Sequence, residues 1–270
     1  MTELAGRVAF ITGAARGQGR NHAVRLARAG ADIVAVDVCG PVSADNGYPA
    51  PGPADLAETA RLVEAEGRAV VTCQADVRDS AVLAAAVAAG MERFGRLDVV
   101  LANAAICNWN RFWEMPDEQW QTLVDTNLGG VFKTLKATVP AVIAGGRGGS
   151  VIVISSVAGL KSLPGQAHYS AAKHGLVGLT KSAAIELGEY GIRVNSIHPY
   201  AVDTPMGTDP ASLVMLERHP RYLGSFGAIL TDQPMATLDD ISDLVLYLAG
   251  DGSRTMTGAQ LSIDMGASKV

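Results

Sequence analysis

Short β-branched runs alternate with helix-length stretches along almost the whole chain, and this alternation limits the fold more than any other feature. Residues 7–12 (RVAFIT), 32–36 (DIVAV), 69–74, 97–102 and 151–154 are short, largely apolar runs that read as buried strands, and the mixed runs 193–197 and 260–264 read as the sixth and last strands. Residues 19–29, 56–66, 81–93, 116–143, 169–189 and 238–248 between them read as helices. Strands and helices alternating about seven times predict one parallel sheet with helices on both faces. Right-handed crossovers make such a sheet doubly wound. The expectation is a single doubly wound α/β domain over residues 1–270, with about seven parallel strands. Ligands in this architecture sit at the carboxyl ends of the strands, where the strand order reverses.

Two stretches escape the alternation. Residues 38–55 hold Pro41, Pro49, Pro51 and Pro53 and predict a long loop. Residues 200–233 hold three prolines and many apolar side chains without a clean period, which predicts a lid with one or two short helices.

The 22 Lys and Arg against 27 Asp and Glu leave a net charge of −5, a poor match to nonspecific nucleic-acid binding. The three cysteines, Cys39, Cys73 and Cys107, are too few and of the wrong parity for a disulfide framework, and lack metal-ligand spacing. Each is placed just past a strand, as a small buried or half-buried side chain. The first apolar run has no basic leader and ends at Gly13, so it reads as a strand and not as a signal peptide. No apolar run approaches the ~18 residues that span a bilayer. A soluble cytoplasmic protein with no metal, no membrane and no nucleic-acid partner is expected.

Chemistry gathers at the predicted strand ends. Gly13-Ala-Ala-Arg16-Gly17-Gln18-Gly19 lies between the first strand and the first helix. Glycines there let the backbone turn tightly and approach a pyrophosphate, while the helix N-terminus offers free N–H groups and a partial positive charge. Taken alone, three glycines in seven residues make a tight turn equally well. Asp37 closes the second strand, 18 positions past Gly19, with Val38 beside it. In a dinucleotide fold an acid at this point accepts hydrogen bonds from the adenosine ribose and repels a 2′-phosphate, which favours NAD over NADP. Arg16 argues the other way, as a cation that holds a 2′-phosphate. Asp37 weighs more, because a carboxylate beside a phosphate dianion costs more than a distant flexible Arg returns. A helix cap or turn residue is the plainer account of Asp37.

Tyr169 and Lys173 are four residues apart in a predicted helix and share one face. A tyrosine titrates near pH ~10, and a neighbouring ammonium lowers that value. Such a pair takes a proton from an alcohol or gives one to a developing alkoxide. Most Tyr and Lys at this spacing on a helix have no such role. What separates the readings is that the glycine loop, Asp37, Asp76, Asn103, Ser156 and Pro199 all fall at strand ends or just beyond.

Thr12-Gly13-Ala-Ala-Arg-Gly17-Gln-Gly19, Asn103-Ala104, Asn127, Ser156, Tyr169 and Lys173 together resemble the short-chain dehydrogenase/reductase family, over essentially the whole chain. The loop after Asp37 and the run from Thr12 to Arg20 resemble its carveol-dehydrogenase-like, mycofactocin-associated branch. The resemblance implies a Rossmann-type fold and an NAD-dependent oxidoreductase that moves a hydride between nicotinamide and a secondary alcohol or ketone. It implies Tyr169 as general acid/base and Lys173 as the group that lowers its pKa and holds the nicotinamide ribose. Ser156 would orient the substrate oxygen, and Asn127 would hold a water relaying protons on the Lys173 side. Asp76 and Val77 would flank the adenine, Asn103 and Ala104 would line the cofactor floor, and Pro199, Val202 and Thr204 would lie at the nicotinamide end. It further implies a tightly held NAD and a homotetramer.

Two positions depart from the family pattern. Ala105 stands where Asn-Ala-Gly is usual, and Tyr200 where a glycine usually follows the proline, which predicts a bulky ring narrowing the substrate pocket. Val202, Met206, Met215, Leu216, Leu223, Phe226, Ile229 and Met235 predict an apolar pocket under the lid, for a cyclic or terpenoid-like alcohol. An NADPH-dependent carbonyl reductase and a nucleotide sensor without turnover are the competing readings; the intact reactive set argues against the sensor.

Overall fold

The computed structural model describes residues 3–270. Seven strands, β1 (Val8–Thr12), β2 (Asp32–Asp37), β3 (Val70–Gln74), β4 (Val99–Ala102), β5 (Gly149–Ile154), β6 (Ile192–Pro199) and β7 (Gln260–Ile263), form one sheet. Their order is β3-β2-β1-β4-β5-β6-β7, and every pair is parallel. Eight helices accompany them: α1 (Gly17–Arg28), α2 (Pro53–Ala65), α3 (Ser80–Phe94), α4 (Asp117–Val124), α5 (Gly130–Gly145), α6 (Ala167–Leu187), α7 (Pro210–Arg218) and α8 (Leu238–Ala249). This is the doubly wound Rossmann-type arrangement that the alternation predicts.

The period of two along each strand divides the core. Ala9, Ile11, Ile33, Ala35, Val99, Leu101, Ile152 and Ile154 face one side, where α1, α2 and α8 supply Leu26, Val63, Ile241 and Val245. Val8, Phe10, Val34, Val36, Val100, Ala102, Val151 and Val153 face the other, against Val87, Leu135 and Leu176 of α3, α5 and α6. A strand buried on both faces has no polar alternation, which is why the central runs are apolar throughout. β1 pairs with β2 on one side and β4 on the other, so the chain reverses its direction of travel across the sheet there. A crevice opens at that point, above the carboxyl ends.

The sequence expectations differ from the structure at three places. The stretch 116–143 is not one regular helix: a π-helical segment, Asp125–Gly129, separates α4 from α5. It contains Asn127, whose side chain is committed to another chain segment, as described below. Cys73 lies inside β3 and not past it, half-buried, because β3 is an edge strand of the sheet. The Pro-rich loop is shorter than predicted, since Pro53 starts α2: proline suits a first helical turn, where its missing N–H has no partner to lose.

Leu101 is fully buried in the middle of β4. Leu101→Ala is expected to cost about 2–5 kcal/mol of stability, read as a lower urea midpoint with an unchanged slope.

Candidate active site

The glycine loop is built on close approaches that no side chain survives. Gly13 has φ +68°, and a Cβ there would lie 2.9 Å from both Ala104 Cα and Asn103 Nδ2. A Cβ on Gly19 would lie 1.9 Å from the Gly13 carbonyl oxygen. Asn103, just past β4, ties the two strand ends together: its Nδ2 donates to the carbonyl oxygens of Thr12 (2.9 Å) and Gly13 (3.3 Å). The Thr12 hydroxyl accepts from the backbone N–H of Asn103 and of Ala104, each at 3.1 Å.

The N-terminus of α1 opens beside this loop. Arg16 precedes it without a side-chain cap, and no acid stands in the first turn. The buried Oε1 of Gln18 has no partner among the described residues. Backbone N–H groups at an uncapped helix start suit an anion, and an orphaned buried oxygen calls for a donor. Asp37 is buried, its Oδ2 accepting from Ala15 N (3.0 Å) and its Oδ1 from Cys39 N (2.9 Å). These bonds fix the carboxylate at the end of β2, facing the same crevice. A dinucleotide fits this set of groups: a backbone cradle for the pyrophosphate and a positioned carboxylate for the adenosine ribose.

The crevice is a cleft of about 370 Å³. Gly13, Arg16, Gly17, Gln18, Gly19, Asp37, Val38, Asp76, Val77, Asn103, Ala104, Thr204, Tyr169 and Lys173 all line it. Asn127, Ser156, Pro199 and Val202 are not among the residues that line it. Asp76 is not a free carboxylate, because Arg78 clamps it through Nε and Nη2 at 2.6–3.1 Å and holds its pKa below the ordinary range against the effect of burial.

On α6, Tyr169 and Lys173 do face the same way. The Lys173 Nζ lies 5.5 Å from the centre of the Tyr169 ring and donates to the Ile154 carbonyl at the end of β5, at 2.8 Å. Two of its three donor positions remain for the cleft. Burial pushes the lysine down from its ordinary value to about 8. The phenol moves opposite to the sequence expectation: burial pushes it up, Cys107 adds to this, and the Ser156 side chain opposes it. Desolvation outweighs the pairing in the protein alone.

Ser156 is positioned from behind. His198 Nδ1 lies 2.8 Å from the Ser156 carbonyl, which can only accept, so this nitrogen carries the proton; Nε2 then accepts from the Ser196 hydroxyl at 2.9 Å. The Ser156 hydroxyl accepts from Ala158 N at 3.1 Å and caps a short 3₁₀ turn.

The Asn127 side chain is committed to Ile106: Oδ1 accepts from the backbone N–H at 2.8 Å and Nδ2 donates to the carbonyl at 2.7 Å. Tyr200 is not among the residues that line the cleft. Its hydroxyl donates to the Phe226 carbonyl, and its ring packs with Val157, Leu163 and Ala267.

The sequence reading missed a wall of the site. Pro41, Val42, Ser43, Asn46 and Tyr48 of the Pro-rich loop line the cleft. The Tyr48 hydroxyl accepts from Cys107 N at 3.0 Å, its ring lies 5.9 Å from the Arg16 guanidinium, and burial pushes its phenol up. An aromatic residue amid Pro, Gly, Ala and Ser was the available signal. Behind it, Asn108 Oδ1 accepts from Gln119 Nε2 (2.9 Å) and His168 Nε2 (2.6 Å), and burial pushes His168 down to about 4.

A family model described as enoyl-(acyl carrier protein) reductase matches residues 13–268. A crystal structure of a short-chain dehydrogenase from Mycobacterium paratuberculosis bound to NAD superposes with a TM-score of 0.97 at 44% identity, covering 99% of this chain and 100% of that one. The chain belongs to the short-chain dehydrogenase/reductase family. An NAD-dependent oxidoreductase of Mycobacterium tuberculosis is 57% identical, over 98% of this chain and 97% of its own length. The (−)-trans-carveol dehydrogenase of Rhodococcus erythropolis is 43% identical, over 98% and 99%.

Within this family member, Asn127 acts as a clamp on the segment that follows β4. Asn127→Ala would strip two buried backbone groups of their partners, at about 1–3 kcal/mol each. A loss on the order of 2–6 kcal/mol is expected in urea unfolding.

Proposed function

We propose that this chain is an NAD-dependent dehydrogenase acting on a secondary alcohol or its ketone, with Tyr169 as the group that moves the proton. The observation that carries this reading is that Tyr169 and Lys173 line the same cleft as the glycine loop and Asp37. Nicotinamide, when bound, supplies the hydride chemistry, and the protein supplies position and the proton path. The Gly13–Gly19 backbone and the start of α1 would hold the pyrophosphate, and Asp37 the adenosine ribose. In alcohol oxidation the Tyr169 oxygen takes the hydroxyl proton, and in reduction it returns it. Lys173, held by Ile154, would direct its free N–H groups at the nicotinamide ribose and favour the phenolate. Ser156, held by His198, would orient the substrate oxygen.

An apolar cyclic or terpenoid-like alcohol is the proposed substrate class. The relative named for carveol supports it, as do Met206 in the cleft wall and the Trp109–Phe226 ring pair at 5.8 Å. Residues 200–233, carrying α7 and a 3₁₀ turn, would act as the lid over a single domain. The Pro-rich loop, lining the adenosine side, would slow cofactor exchange. Three free thiols and the lack of a helix long and apolar enough to cross a membrane, among the described residues, fit the proposed cytoplasmic setting. A homotetramer is proposed from family membership.

Tyr169→Phe should lower kcat/KM for a cyclic secondary alcohol by at least about 100-fold, the usual scale of a general acid/base; a loss within tenfold removes Tyr169 from the role. Cofactor choice rests on Asp37. NAD should bind at least about tenfold tighter than NADP, because the buried carboxylate repels a 2′-phosphate. Asp37→Asn should narrow that ratio in fluorescence titrations, and equal affinities in the unaltered protein would contradict the assignment.

A further inference from the structure

The opposite end of the strands carries a second hollow that the dinucleotide reading does not use. It lies at the amino ends of β1, β4, β5 and β6 and measures about 470 Å³. Five arginines line it: Arg7, Arg96, Arg147, Arg193 and Arg254. The carboxylates that answer them are fewer. Asp251 pairs with Arg7 at 2.6 Å. Asp98 is gripped by Arg96 at 2.6 and 2.8 Å, also accepts from Val8 N, and is 3.7 Å from Arg147. Glu3 adds one more carboxylate at the rim, beside Gly250. Five cations against three anions leave an excess of positive charge, on a chain whose net charge is −5.

Arg193 is the group least at ease. Its Nη1 donates to Ser253 Oγ (2.8 Å), and its Nη2 to the carbonyls of Leu248 (2.8 Å) and Gly250 (3.2 Å). Among the described residues no carboxylate lies within ion-pair distance of Arg193 or of the exposed Arg254. Burial and the neighbouring Arg7 cation push the Arg193 guanidinium below its ordinary value, against the opposing pull of the Asp251 carboxylate. A half-buried cation facing like charge is stabilised by an added anion. Guanidinium forks match phosphate oxygens two at a time, and a concave wall concentrates their field.

We propose that this hollow binds a small phosphate-bearing anion carrying at least two negative charges, at a site separate from the dinucleotide cleft. Arg147 and Arg254, exposed at the rim, would engage it directly, and Arg193 would form its floor. The site needs no help from the catalytic groups, so its failure would leave the dehydrogenase reading untouched.

The test is calorimetric titration of the full-length, NAD-saturated protein with inorganic pyrophosphate at fixed ionic strength. The expected result is saturable binding of one pyrophosphate per chain. The double variant Arg147→Gln/Arg254→Gln, at two exposed positions, should weaken it at least tenfold while leaving alcohol turnover unchanged. Absence of saturable binding would overturn the proposal, including the case where acids of a second copy fill the hollow in the assembled protein. Equal affinity for sulfate would reduce the effect to charge screening and overturn it too. Citrate binding more tightly than pyrophosphate would overturn the phosphate assignment, and binding unmoved by the double variant would overturn the location.

Discussion

The close approach of the β1 and β4 ends is the constraint on which the candidate site depends. Gly19 sits where any Cβ would meet the Gly13 carbonyl, and Gly13 where any Cβ would meet Asn103 and Ala104. Asn103 closes the gap with two side-chain hydrogen bonds, and Thr12 with two more through its hydroxyl. Because β1 and β4 flank the reversal of strand order, this seam fixes both halves of the crevice at once. The start of α1 follows from it, and so does the distance from the glycine loop to the end of β5. Ile154 and Ser155 there meet α6 through Lys173, with Lys173 Nζ on the Ile154 carbonyl and Ser155 Oγ on the Lys173 carbonyl.

The proton-transfer pair is held under opposing forces. Burial favours the neutral form of each member, raising the phenol and lowering the ammonium to about 8. A charge-separated pair in such surroundings exists only where donors and charges compensate for lost hydration. Part of that compensation is built in, through the Ile154 carbonyl on Lys173 and the Ser156 side chain near the phenol. The rest must come from whatever fills the cleft. A pair whose ionisation depends on its neighbours is well suited to respond to a ligand, and poorly described by either residue's intrinsic value.

The fold was legible because its signal is local and repeated. Strands buried on both faces must be apolar through their middles, as β1, β2, β4 and β5 are; glycine and proline mark the intervening turns. The polar positions at strand ends were legible for the same reason, since the topology leaves them a single place to gather. What escaped was decided by contacts between distant segments. Nothing near Asn127 in the sequence announces that its amide spans Ile106, 21 positions earlier, or that the helix must loosen into a π segment there. Tyr200 follows the last residue of β6, beside the site in sequence, yet its ring turns into a satellite core because the Phe226 carbonyl offers its hydroxyl a partner. Asp76 was legible as a residue at the cleft but not as one already neutralised by Arg78, which depends on a bidentate geometry two residues away.

The Pro-rich loop shows why a segment without regular structure can still be well determined. Its prolines remove helix and strand as options, so side chains must hold it. Tyr48 meets Arg16 of the glycine loop and Cys107 past β4, and Asn46 Oδ1 accepts from Asn108 Nδ2 at 3.2 Å. Gly47 passes so near the start of α7 that a Cβ would lie 2.0 Å from Asp209 Oδ1. Asp209 is itself buried, with its Oδ1 committed to Ala211 N at 2.8 Å. The loop is thus fixed at three places, on the glycine loop, the segment past β4 and the start of α7. Through these contacts the loop joins the start of α7 to the glycine loop and to the segment past β4, outside the sheet.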